Sequence, residues 1–145
     1  MTPVEARSLT NAVADWVRSS PDLRALAMAG SWSRHAARSD SDLDLCILAE
    51  RPEQYRSDQG WLREIVLPAP FRIMSSKGAV YGVVWSCHVL LQPAAELELG
   101  FSALDWASTD PVDAGSRRVV SDGFQVIVDK DGRLRRLVET LGAVR

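Results

Sequence analysis

The chain has 145 residues in 16.0 kDa, 46% hydrophobic and 25% charged, which bounds it to one globular domain able to bury a core without disulfide or metal staples. Seventeen basic residues against nineteen acidic ones leave a net charge of -2, which argues against a general nucleic-acid binder with its basic face. Two cysteines, Cys46 and Cys87, both in apolar runs, and an N-terminus without basic and apolar signal regions point to a reducing, cytoplasmic setting with no membrane role.

In chain order, Thr2-Pro3-Val4-Glu5 reads as a capping box opening a helix, whose apolar face is Leu9, Ala12, Val13, Trp16 and Val17. Leu23 to Ala29 is a buried strand, and Gly30 to Ser41 a polar segment that starts with a turn into a short helix. Asp42 to Leu48 alternates, with Leu43, Leu45 and Ile47 on one face and Asp42, Asp44 and Cys46 on the other. Between Arg51 and Leu67 a short helix is expected around Trp61, Leu62 and Ile65, ended by Pro68. Phe71 to Met74, Val80 to Leu91 and Glu96 to Phe101 read as a strand meander, with turns at Ser75–Gly78 and Gln92–Ala95. Asp105 to Gly115 reads as a polar loop, Phe124 to Val128 as a last strand, and Leu134, Leu137, Val138 and Leu141 as the face of a closing helix. The order of elements is that of a mixed α+β domain occupying the whole chain, 1–145.

The chemistry concentrates between Gly30 and Leu45. A Gly-Ser pair at a strand-to-helix turn allows close approach to backbone amides, a setting that favours phosphate. Ten residues separate Ser31 from Asp42, and Asp42 and Asp44 share one strand face with α-carbons roughly 7 Å apart. Paired carboxylates repel unless a cation lies between them, and hard oxygen ligands beside a phosphate cradle suit Mg²⁺. Glu96 and Glu98 occupy one face of a later strand and offer further acids. His35 and His88 lie at no metal-ligand spacing with a cysteine, and His88 reads as a strand residue with a satisfied partner. Asp129-Lys130-Asp131-Gly132 lacks the glutamate of a calcium loop and reads as a strand-to-helix turn. Trp16 and Trp61 are expected in the core, and packing is also the favoured use of Trp32 and Trp106, with bordering the nucleotide (Trp32) or covering the site (Trp106) as the alternative.

Gly30-Ser31, the ten-residue gap and Asp42-Leu43-Asp44-Leu45, together with Arg34, resemble the signature of the nucleotidyltransferase domain of the DNA polymerase β superfamily, over about Leu23 to Phe101. The similarity is to the minimal and the antibiotic nucleotidyltransferases. His35 departs from it, since relatives often carry glycine there. The resemblance implies a nucleotidyltransferase fold, a twisted mixed sheet flanked by helices. It implies that Asp42, Asp44 and a third carboxylate, Glu98 with Glu96 in second line, hold two Mg²⁺ ions roughly 4 Å apart. Gly30, Ser31 and Arg34, with Arg38 in second line, would then contact the triphosphate. The implied reaction moves a nucleoside monophosphate from an NTP, with ATP the expected one, to an unidentified acceptor and releases pyrophosphate. A small molecule or protein acceptor is favoured over nucleic acid, given the acidic balance. Larger relatives add a helical domain that helps hold the acceptor, a part expected here from a second copy in a homodimer, from a partner protein, or from nowhere. The rival reading is an antitoxin-like or nucleotide-binding protein that neutralises a small helical toxin, with or without nucleotidylation.

Overall fold

The computed structural model describes residues 1–38 and 40–142. Helix α1 spans Pro3–Ser19, and its capping box forms as the sequence requires: Thr2 Oγ1 accepts from the Glu5 amide, and Glu5 Oε1 accepts from the Thr2 amide at 2.8 Å. Strand β1 (Leu23–Ala29) leads into the four-residue helix α2 (Gly30–Ser33), and β2 (Leu43–Ala49) follows the polar loop. After α3 (Glu53–Ser57) and a 3₁₀ turn (Gly60–Glu64) come β3 (Arg72–Tyr81), β4 (Val84–Gln92) and β5 (Ala95–Ser102). A second 3₁₀ turn (Leu104–Ala107), α4 (Ala114–Ser121), β6 (Phe124–Asp129) and α5 (Arg133–Leu141) complete the described chain. The six strands make one sheet in the order β3-β4-β5-β2-β1-β6, antiparallel except for the parallel pair β2 and β5.

Each sheet face is covered by its own apolar cluster. On one side α1 supplies Leu9, Val13, Trp16 and Val17 against Leu43, Leu45 and Ile47 of β2. There Trp16 stacks on Trp61 with ring centroids 5.2 Å apart, and Tyr55 stacks on Phe101 at 4.8 Å. On the other side Leu134 and Leu137 of α5, Val120 of α4 and Trp106 pack on Ala25, Ala27 and Leu48. The alternation read in β2 therefore decides function: the leucines face α1, and Asp44 turns toward the side where α4 and α5 pack. Among the described residues, no helix is long and apolar enough to cross a membrane.

Three expectations need correction. The helix expected between Arg51 and Leu67 is broken in two, because Asp58 Oδ1 accepts the Gly60 amide at 3.0 Å and the Trp61 indole donates to the Tyr55 carbonyl at 2.8 Å. Trp61 and Ile65 are nonetheless buried and Leu62 half-buried, as their spacing implies. Ser75–Gly78 is not a turn but the middle of β3; the chain reverses at Gly82 and Val83 instead. β3 is the sheet's edge and largely exposed, so its side chains show no apolar alternation, and Gly78 is there because a Cβ would stand 2.8 Å from the Trp85 indole nitrogen. The segment read as a loop up to Gly115 runs into α4, which Asp113 caps by accepting from the Ser116 amide at 3.0 Å. The Ser116 hydroxyl ties this helix start to the Trp106 carbonyl at 2.6 Å. The reading of Asp129–Gly132 holds: Asp129 accepts from the Leu134 and Arg135 amides and starts α5.

Candidate active site

β1 ends at Ala29 directly opposite Asp44, so the turn at Gly30 begins where the first carboxylate stands. Gly30 has φ +72°, and a Cβ on it would lie 2.5 Å from Asp44 Oδ2. Both facts demand glycine: the backbone is left-handed and the carboxylate already occupies the side-chain space. The Ser33 hydroxyl donates to the Gly30 carbonyl at 2.6 Å and closes the single turn of α2. So short a helix carries little macrodipole, and any phosphate affinity here comes from local amides.

The turn ends in a Schellman arrangement, with Ala36 N–H donating to Ser31 O at 2.9 Å and His35 N–H to Trp32 O at 3.3 Å. His35 sits at the left-handed position, φ +56°, where glycine is the usual occupant. His35→Gly is expected to stabilise the protein by about 0.5–1 kcal/mol, the relieved strain exceeding the added freedom of the unfolded chain. A urea melt checks this, and an unchanged or lower midpoint would contradict it.

Four carboxylates share the cleft-side face of β2 and β5. Register pairs Asp44 with Glu98, and Asp42 immediately precedes β2, beside Glu96. Partial burial, then the charges of Glu98 and Asp42 and a hydrogen bond with Glu98, push Asp44 up to about 7. Glu96 is raised as well, by desolvation first and then by the charge of Asp42 and a hydrogen bond with it. Two carboxyl groups can hydrogen-bond only by sharing a proton, and in each pair a bound cation would relieve the same repulsion. Among the described residues, no group of three or more His, Cys, Asp or Glu is already gathered at ligating distance. The donor set fits a hard cation that brings further oxygens with it from substrate phosphates and water, as Mg²⁺ does.

Asp44 and Glu98 open onto a cleft of about 680 Å³ that continues along the sheet face. Gly30, Arg34, Asp44 and Glu98 line it near the acids; Val84 of β4, Trp106 and Arg118 line it farther along. Arg34 also donates through Nη1 to the Asp122 carbonyl at 2.7 Å, which ties α2 to the end of α4. Ser31, Asp42 and Glu96 are partly buried near this rim but do not line the cleft. Arg38 stands apart, largely exposed and 3.6 Å from Asp40. Trp32 donates its indole N–H to the Ser41 carbonyl at 3.3 Å and belongs to loop packing rather than to the cleft, whereas Trp106 does line it. The sequence reading missed Arg118 because it missed α4. An Asp113-x-x-Ser116 cap before Val119 and Val120 was the available signal.

No protein-family model matches the chain, and no curated protein matches it. Solved structures do. The structure described as the "Structural Basis for the Activity of a Cytoplasmic RNA Terminal U-transferase" superposes with a TM-score of 0.52 at 16% identity, covering 81% of this chain and 33% of its own. Cid1 with the UTP analogue UMPNPP gives 0.48 at 21% identity, covering 68% and 30%. Cid1 with its short product ApU gives 0.48 at 19%, covering 81% and 39%. The chain thus spans about a third of the length of the solved structures it resembles. At these identities the shared property is the fold, and it is the nucleotidyltransferase fold.

Proposed function

We propose that this chain, which carries the nucleotidyltransferase fold, is a divalent-cation-dependent nucleotidyltransferase that moves a nucleoside monophosphate from an NTP to an acceptor hydroxyl or phosphate. One observation carries the reading: a side-chain-free turn at Gly30 is seated against Asp44, itself paired with Glu98, at the mouth of a cleft. Gly30 and Ser31 would receive the β- or γ-phosphate on backbone amides, with Arg34 and Arg118 countering triphosphate charge. Asp42, Asp44 and Glu98 would hold two Mg²⁺ ions, which when bound neutralise phosphate charge and polarise the α-phosphorus. Glu98 would accept the proton of the attacking acceptor oxygen. The new bond forms between that oxygen and the α-phosphorus, the bond to the bridging oxygen breaks, and pyrophosphate leaves with its electron pair.

The expected nucleotide is ATP, but a solved structure that shares this fold is described as a U-transferase, so the test uses all four α-labelled NTPs with Mg²⁺. Label should appear on an acceptor fraction of a cell lysate with the unaltered protein and not with the Asp42→Asn, Asp44→Asn double variant. The labelled fraction identifies the acceptor as small molecule, protein or RNA; the acidic balance favours the first two. Absence of label with every nucleotide would overturn the enzymatic reading in favour of a nucleotide-binding or toxin-neutralising partner protein.

A further inference from the structure

The sequence offers His88 only as a strand residue with a satisfied partner. In the fold it stands in register with Lys77 of β3 on one side and Glu98 of β5 on the other, and its ring meets Tyr81. His88 of β4 stands in register opposite Glu98 of β5. Its Nδ1 lies 3.7 Å from Glu98 Oε1, with the two side chains 23% and 29% exposed. Its Nε2 lies 3.1 Å from the Tyr81 hydroxyl, and the two rings meet edge to face with centroids 6.0 Å apart.

A neutral imidazole has one N–H and one acceptor nitrogen. In the tautomer where the phenol donates to Nε2, the N–H is on Nδ1, the nitrogen that faces the carboxylate. At 3.7 Å this is a dipole contact rather than a hydrogen bond, and it acts on the side chain with the most freedom. Asp42 and Asp44 have short side chains, whereas a glutamate has an additional rotatable bond to fix. The two glutamates of β5 differ in placement: Glu98 is directly opposite His88, while Glu96 is opposite Leu90 and feels His88 only from the diagonal position.

We infer that His88, itself oriented by the Tyr81 hydroxyl, is a positioning residue that holds the Glu98 carboxylate toward Asp44 and so makes Glu98, not Glu96, the third acid of the site. The inference deepens the nucleotidyltransferase reading and rests on it. Partners that orient ligating side chains commonly matter 10–100-fold for metal affinity.

Mn²⁺ binding, read by the electron paramagnetic resonance of the free ion, tests it without needing the acceptor. His88→Phe should weaken Mn²⁺ binding by about tenfold and Tyr81→Phe by about two- to threefold, with urea midpoints in EDTA matching the unaltered protein. His88→Asn, whose amide nitrogen can take the place of Nδ1, should recover most of the loss, which a merely structural role would not predict. Unchanged binding in His88→Phe, or no recovery in His88→Asn, overturns the positioning role while leaving the enzymatic reading intact. Should the His88 variants fail to fold, Tyr81→Phe decides, since Tyr81 is half-exposed and loses only a hydroxyl; unchanged binding there overturns the role. If the unaltered protein binds no Mn²⁺, or binds it equally after Asp42→Asn with Asp44→Asn, the parent reading falls and this one with it.

Discussion

Asp44→Asn is expected to abolish nucleotidyl transfer and, in the absence of divalent cations, to make the protein more stable at pH 8. The loss of activity should be on the order of 10³-fold or more, because the substitution removes a charge that would hold the cation and, through it, the triphosphate. The stability gain has the opposite origin. Asp44 is held at about 7 by burial and by Glu98 and Asp42, so the fold disfavours its ionised form. Below about pH 4 the carboxyl is neutral in both folded and unfolded chains, and no penalty applies. Between about pH 4 and 7 the unfolded chain ionises first, so stability falls as pH rises, and above about 7 the penalty is complete. Asparagine carries no charge and can donate to Glu98, so the variant should gain about 1–2 kcal/mol at pH 8, after allowance for solvent screening, and nothing at pH 4. Urea melts in EDTA at the two pH values measure this. Added Mg²⁺ should raise the midpoint of the unaltered protein at pH 8 and leave the variant unmoved. A variant less stable than its parent at pH 8 would mean that the carboxylates are not in mutual repulsion.

Gly30→Ala should be severely damaging for a single added methyl group. Its Cβ would sit 2.5 Å from Asp44 Oδ2, and the residue would be held at φ +72°. The backbone alone costs about 1–2 kcal/mol for an L residue. The contact cannot be relieved by moving β2, which is bonded to β1 at Ala29↔Asp44 and to β5 at Asp44↔Glu98. Asp44 must therefore rotate out of the acid row. Stability should fall by about 2 kcal/mol and transfer by at least about a hundredfold, because a displaced ligand loses the reacting geometry. Asp44→Ala in the Gly30→Ala background tests the cause. If the clash is with the carboxylate, the second change recovers part of the lost stability, and simple additivity of the two would exclude it.

Most of the fold was legible locally. The capping box at Thr2 and Glu5, the alternation from Leu43 to Ile47 and the 3.6-residue period from Leu134 to Leu141 each encode an element whose apolar side must be buried, and all three formed as read. The strand faces of Asp44, Glu96 and Glu98 were legible for the same reason, because a period of two assigns a face without any knowledge of the partner strand, whereas the preference for Glu98 over Glu96 came from the family resemblance alone. β3 and α4 were not. An edge strand exposed along most of its length and a two-turn helix held by Asp113 and Ser116 have little buried surface to impose a pattern. What the sequence by itself determined was which residues could do chemistry and which face of each strand would carry them. Only the tertiary structure decided the company they keep: Asp44 beside Gly30 and Glu98, Arg34 bonded to the Asp122 carbonyl, and His88 against Glu98. These contacts join residues far apart in the chain through strand register and helix docking, which depend on the whole sheet closing around its two apolar faces.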